Sequence, residues 1–146
     1  MNMSKSAFEK NTAGILAALA NPFRVRIALA LGEQEACVCH LEQLLQKRQA
    51  YISQHLMVLR EVGLLETRRD GKYVYYRLAS PAVLALVRAA AELAGVDRTD
   101  FPAYQPPDFL EKCECPNCGL DDSAHSEQIY PAEPIKTSKT IGENNA

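Results

Sequence analysis

The sequence predicts a mainly α chain carrying one β-hairpin. Three observations lead there. Apolar residues recur at helical spacing in five separate stretches. Asn21-Pro22 and Ser80-Pro81 each put a capping side chain before a proline suited to the first helical turn. One stretch, "LLETRRDGKYVYYRL", changes to strand chemistry around a central Asp70-Gly71.

The elements follow in order. Phe8 to Ala20, with Phe8, Ile15, Leu16 and Leu19 among alanines, reads as a helix. Asn21 caps a second, which carries Val25, Ile27, Leu29 and Leu31 and stops at Gly32. A third, short helix holds Val38, Leu41, Leu44 and Leu45. The polar gap "QKRQ" separates it from a fourth, Ala50 to Val62, whose buried stripe is Ile52, Leu56 and Leu59 and whose end is Gly63. The hairpin comes next, its second strand rich in Tyr73, Val74, Tyr75 and Tyr76. The fifth helix, Val83 to Ala94, is apolar on more than one face, which suits packing on the core and on a partner chain.

The 146 residues divide by chemistry. Residues 1–95 carry 12 Lys and Arg against 8 Asp and Glu and read as a DNA-binding and dimerisation domain. Residues 96–125 form an acidic, cysteine-containing tail, and residues 126–146 read as disordered. No apolar run is long enough to span a bilayer and no signal peptide is visible, so a cytoplasmic protein without a membrane is expected. Five cysteines, an odd number, argue against a disulfide framework.

Two short helices, a tight turn and a hairpin make a winged helix-turn-helix. The second helix of such a pair fits a DNA major groove. With Ile52, Leu56 and Leu59 inward, Ala50, Ser53, Gln54 and Met57 face outward and Tyr51 lies to one side. Ser53 and Gln54 suit base edges, and Tyr51 suits a phosphate or a stacked base. Arg68, Arg69 and Lys72 flank the hairpin tip and suit phosphates. The bland alternative is a solvated face on a small helical domain; the order of elements together with the charge favours DNA. His55 falls beside the buried stripe and reads as structural. An enzyme is not expected. The "CPNC" of a thiol oxidoreductase lies in a proline-rich acidic tail rather than a βαβ unit, and no catalytic Ser/His/Asp set or phosphate loop is visible.

The motifs "LANPFRVRIALAL", "CVCHL" and "ISQHLMVLREVGLLETRRDGKYVYYRL" resemble the ArsR/SmtB family of metal- and metalloid-responsive bacterial repressors, over roughly residues 12–95. The resemblance implies a homodimer, joined through the first and fifth helices. It also implies that the dimer blocks transcription on double-stranded operator DNA, an inverted repeat, until an inducer binds. Zinc and nickel/cobalt sensors of that family carry Asp and His on the last helix. "VLALVRAAAELA" has neither, so a hard-ligand site there is not expected.

Family members with "CVC" sense arsenite, antimonite, cadmium or lead. Independently, thiolates are soft ligands for thiophilic ions. Cys37 and Cys39, two apart, would be turned ~200° from each other on a regular helix. One ion therefore needs non-helical chain around Val38, and ligation is expected to strain or unwind the start of this helix. The arsenite sensors often add a third cysteine where this chain has Glu42. The tail offers Cys113, Cys115 and Cys118. Three thiolates would suit As(III) or Sb(III), and four would suit Cd(II), Pb(II) or Zn(II). Joint binding with Cys37 and Cys39 is the first reading. A separate zinc knot with His125 is the second, and reduced thiols without a role the third. His40 reads as a surface histidine. A redox or persulfide sensor on the same fold is the remaining alternative.

Overall fold

The computed structural model describes residues 3–102. The expectations for Cys113, Cys115, Cys118, His125 and the disordered 126–146 segment lie outside the described residues. Helices α1 (Lys5–Leu19) and α2 (Pro22–Leu31) are followed by strand β1 (Ala36–Cys37), helices α3 (Val38–Leu45) and α4 (Gln49–Glu61), strands β2 (Leu65–Asp70) and β3 (Tyr73–Leu78), and helix α5 (Pro81–Leu93). A single 3-10 turn, Arg98–Asp100, comes last. This is the mainly α, winged helix-turn-helix architecture expected. Among the described residues no single helix is long and apolar enough to cross a membrane.

Local chemistry sets the boundaries. The Asn21 side chain accepts from the Phe23 and Arg24 amides at 2.9 and 3.2 Å, with Pro22 just inside. Ser80 accepts from Ala82, again with proline at the first turn. Recognition-type helix α4 ends in a Schellman motif. The Leu64 amide donates to the Leu59 carbonyl and Gly63 to Arg60. Gly63 takes φ of 81°, a left-handed backbone that turns the chain from α4 into the wing.

The core is the packed centre of α2, α3 and α4. Ile27, Leu31, Leu41, Leu45, Ile52, Leu56 and Leu59 are essentially inaccessible. Each such burial contributes about 1.5–3 kcal/mol, which fixes α4 rigidly on its supports. The predicted stripe is the observed one. Around α1, α2 and α5 the packing is incomplete. Leu16, Leu19, Val25, Leu29, Leu86 and Ala90 line an apolar groove of about 780 Å³, and Phe8 and Leu93 stand 60% and 89% exposed.

Two expectations change. The hairpin loop is Gly71-Lys72, one residue later than Asp70-Gly71, because Asp70 pairs with Tyr73. Gly71 has φ of 59° and Lys72 has no positive φ, the pattern of a type II′ turn. The wing also has a third strand. β1 pairs antiparallel with β3, so the sheet order is β1-β3-β2.

Gly63→Ala tests the turn out of α4. A Cβ there would meet nothing within 4 Å, so the strain is purely that of the backbone. The left-handed conformation should cost about 1–2 kcal/mol, read as a lower urea midpoint with an unchanged m value at fixed protein concentration.

Candidate nucleic-acid interface and thiol pair

Helix α4 presents Tyr51, Gln54 and Met57 to solvent, with Ser53 half-buried beside them. Its start is fixed from outside. Arg48, the N-cap residue, gives no side-chain hydrogen bond. Glu42 of α3 supplies it instead: its Oε1 accepts from the Gln49 amide at 2.6 Å. A carboxylate at this end also suits the helix dipole. The α3–α4 turn runs through Gln46, left-handed at φ of 53°.

Tyr51 is not a loose tip. Its ring centroid lies 4.9 Å from Phe23 and 4.8 Å from His55, and Phe23 lies 5.1 Å from His55. Tilted and edge-to-face packing of this kind holds rings in place. The Lys47 ammonium sits 5.8 Å from the Tyr51 centroid. Burial, and then the charge of Arg24, hold the His55 imidazole below its ordinary pKa of 6.5. His55 therefore stays neutral at pH 7 and acts as packing, as expected.

The wing sheet has two faces, because alternate residues point to opposite sides. Leu65, Ala36, Tyr76 and Leu78 face the main core. Arg69 shares their side of β2 but lies toward the tip, where it is exposed. Lys72 occupies the turn, its ammonium 5.3 Å from the Tyr73 centroid. These two cations stand where phosphate contacts were expected. Arg68 faces the opposite side, its Nε and Nη2 donating to Glu35 at 3.1 and 2.5 Å, with Asp70 3.9 Å away. Its guanidinium carbon lies 4.5 Å from the Tyr75 ring centroid. The Glu35 hydrogen bond raises the Arg68 pKa. All three cations flank the hairpin tip, and strand parity puts Arg68 on the opposite face of the sheet from Arg69.

Cys37 lies on the same face as Arg68. The ladder pairs Cys37 with Tyr75 and Tyr75 with Arg68, so the three form one row across the sheet. Cys37 is 3% exposed and Tyr75 1%; Cys39 and Tyr73 pack against them. Cys37 also caps α3. Its backbone is extended (φ −77°, ψ 163°) and its Sγ accepts from the His40 amide at 3.4 Å. With Cys39 in the first helical turn, the two sulfurs approach to 2.6 Å without a disulfide. The two thiols converge because the chain beside Val38 is not helical, as expected: Cys37 is extended, so no helix need unwind to bring them together.

Two soft donors on one side of a helix start fit a thiophilic ion. Among the described residues no group of three His, Cys, Asp or Glu could hold a metal ion. Glu42, at the position of a third family cysteine, is committed to capping α4. His40, read as a surface residue, is 8% exposed, because the third residue of this short helix turns inward. Glu35, Glu42 and Tyr75 were not singled out as site residues from sequence. Their roles depend on partners distant in the chain.

Residues 21–67 match the family model described as bacterial regulatory protein, arsR family. The biofilm growth-associated repressor of Agrobacterium fabrum is 42% identical over 87 residues, covering 60% of this chain and 73% of that protein. The arsenic resistance transcriptional regulator ArsR1 of Pseudomonas putida is 49% identical over 61 residues, covering 41% of this chain and 48% of that protein. A solved relative is the homodimeric winged helix-turn-helix DNA-binding domain Mb0332 from Mycobacterium bovis, a possible ArsR-family transcriptional regulator. It aligns with a TM-score of 0.58 at 29% identity, over 65% of this chain and 90% of that one.

The Glu42 cap makes a measurable claim. Glu42→Ala removes the acceptor of the Gln49 amide and should lower unfolding stability by about 1 kcal/mol. Amide exchange should rise first at the start of α4. Equal protection there in both proteins would show that the cap contributes nothing.

Proposed function

This chain belongs to the ArsR/SmtB family of bacterial transcriptional regulators, and on that premise we propose that it is a homodimeric repressor released from its operator when a thiophilic inducer joins Cys37 and Cys39. The inducer proposed first is arsenite or antimonite. Cd(II), Pb(II) or Zn(II) on the same thiols is the alternative. The observation that carries the reading is the 2.6 Å approach of the two sulfurs where α3 meets the wing sheet.

Tyr51, Ser53 and Gln54 of α4 enter the major groove, while Arg69 and Lys72 hold flanking phosphates. A second copy covers the apolar groove of α1, α2 and α5. The dimer then reads an inverted repeat with half-sites about one helical turn, 10–10.5 bp, apart or a multiple of that. Sedimentation at micromolar concentration should give a dimer, and a monomer there would remove this part of the reading.

Arsenous acid exchanges As–O for As–S bonds. Each thiol proton leaves with a displaced hydroxide as water. Ligation replaces the direct contact between the two sulfurs with an ion that both of them hold. The third thiolate comes from the tail, with Cys113 or Cys115 ahead of Cys118. The same close approach favours one second reading, oxidation of the thiols by a persulfide donor, with two electrons and two protons passing to the oxidant.

Reduced full-length protein bound to a duplex selected from random sequence should release it on titration with arsenite. Cys37→Ser and Cys39→Ser should bind the duplex and ignore arsenite. Truncation after Gln105 should leave DNA binding intact and weaken the response. X-ray absorption should count three sulfurs around arsenic in the full chain and fewer in the truncation. Release by a persulfide donor and not by arsenite would transfer the function to the redox reading.

A further inference from the structure

The row Cys37–Tyr75–Arg68 has a use that DNA contact does not give it. We propose that Arg68 is a positioning residue: with Glu35 and Tyr75 it passes the state of the thiol pair to the wing. The inference rests on the thiol pair being the inducer site.

Three observations carry it. First, the strand that ends in Cys37 is itself the edge strand of the wing sheet, bonded to central strand β3. Thiols and wing are thus one sheet, not two parts joined by a loop. Second, Tyr75 is packed between them. It is 1% exposed, it touches Cys37, and its ring lies 4.5 Å beneath the Arg68 guanidinium. A cation held over a ring follows that ring when it moves. Third, Arg68 reaches back across β3 to Glu35, the residue just before β1, through two parallel hydrogen bonds. A forked arginine–carboxylate pair is geometrically stiff as well as strong. The four side chains therefore close a ring: Cys37 on Tyr75, Tyr75 under Arg68, Arg68 to Glu35, and Glu35 back along the chain to Cys37.

An ion held by the two thiolates adds volume beside the buried Cys37 and Tyr75, and close-packed interiors do not absorb such changes locally. Cys37 presses on the Tyr75 ring, and the ring carries Arg68 with it. Glu35 fixes the far end, so the displacement becomes a tilt of the β2–β3 hairpin. That hairpin carries Arg69 and Lys72 at its tip. Their phosphate contacts are lost while α4 stays seated on its core.

The experiment measures DNA affinity, its salt dependence and arsenite response together, by fluorescence anisotropy on the full chain with the selected duplex. Glu35→Gln and Arg68→Gln break the ring at one point each. Both should bind DNA within about threefold of wild type, with the same salt slope, and both should bind arsenite when DNA is absent. In both, the arsenite-driven loss of DNA affinity should shrink at least about tenfold. Linkage requires the converse: arsenite should bind their DNA complexes as well as the free proteins. A salt slope in Arg68→Gln lower by about one, with arsenite response intact, would make Arg68 a phosphate contact and overturn the proposal. Full arsenite response in Glu35→Gln also overturns it. So does a large loss of DNA affinity without arsenite in both variants, which would assign the ring a structural role alone. If wild type itself ignores arsenite as Cys37→Ser does, the inducer assignment fails, a result distinct from all of these.

Discussion

The extended backbone of Cys37 is the constraint on which the rest of the site depends. A residue at ψ of 163° can end a strand and cap a helix at once, and Cys37 does both. As the end of β1 it pairs with Tyr75 and joins the wing. As the cap of α3 it turns its sulfur toward the His40 amide and toward Cys39. Were Cys37 helical, the two thiols would diverge and β1 would vanish. The thiol pair and the third wing strand are consequences of one backbone angle.

The wing sheet separates two tasks by parity. Its core-facing side holds Leu65, Tyr76 and Leu78 and, past the edge of the core, Arg69. Its other side holds Glu35, Cys37, Arg68 and Tyr75 as a second, smaller cluster. Adjacent arginines in sequence therefore serve different ends. Beneath them α4 is held by both its inner stripe and the Glu42 cap, so its position answers to α3. A cap in water-exposed surroundings is a modest interaction, but it lies at the end of the helix proposed to enter the groove.

What was legible in the sequence was local. Asn21-Pro22 and Ser80-Pro81 cap helices because a side chain needs to reach its own chain by two or three residues only. Ile52, Leu56 and Leu59 form the stripe because one helical turn brings them together. The hairpin was legible, but its register slipped by one. Asp-Gly and Gly-Lys both provide a glycine for the tight turn, and pairing along the full strands decides between them. β1 left no trace, since two residues have no periodicity and exist as a strand only through β3. Arg68 and Glu35 lie 33 residues apart, so no local pattern could pair them. His40 was misplaced for a related reason: a helix of eight residues is short enough for neighbours on several sides to bury it.

The central claim is that the thiols and the wing respond as one body. The direct measurement is the amide NMR spectrum of the full-length, nitrogen-15-labelled protein, free of DNA, before and after one equivalent of arsenite. The account predicts shifts at Ala36 to His40 together with shifts along Arg68 to Arg77, while the buried stripe of α4 stays in place. Shifts confined to Ala36 through Leu45, with the wing amides unmoved, would contradict it.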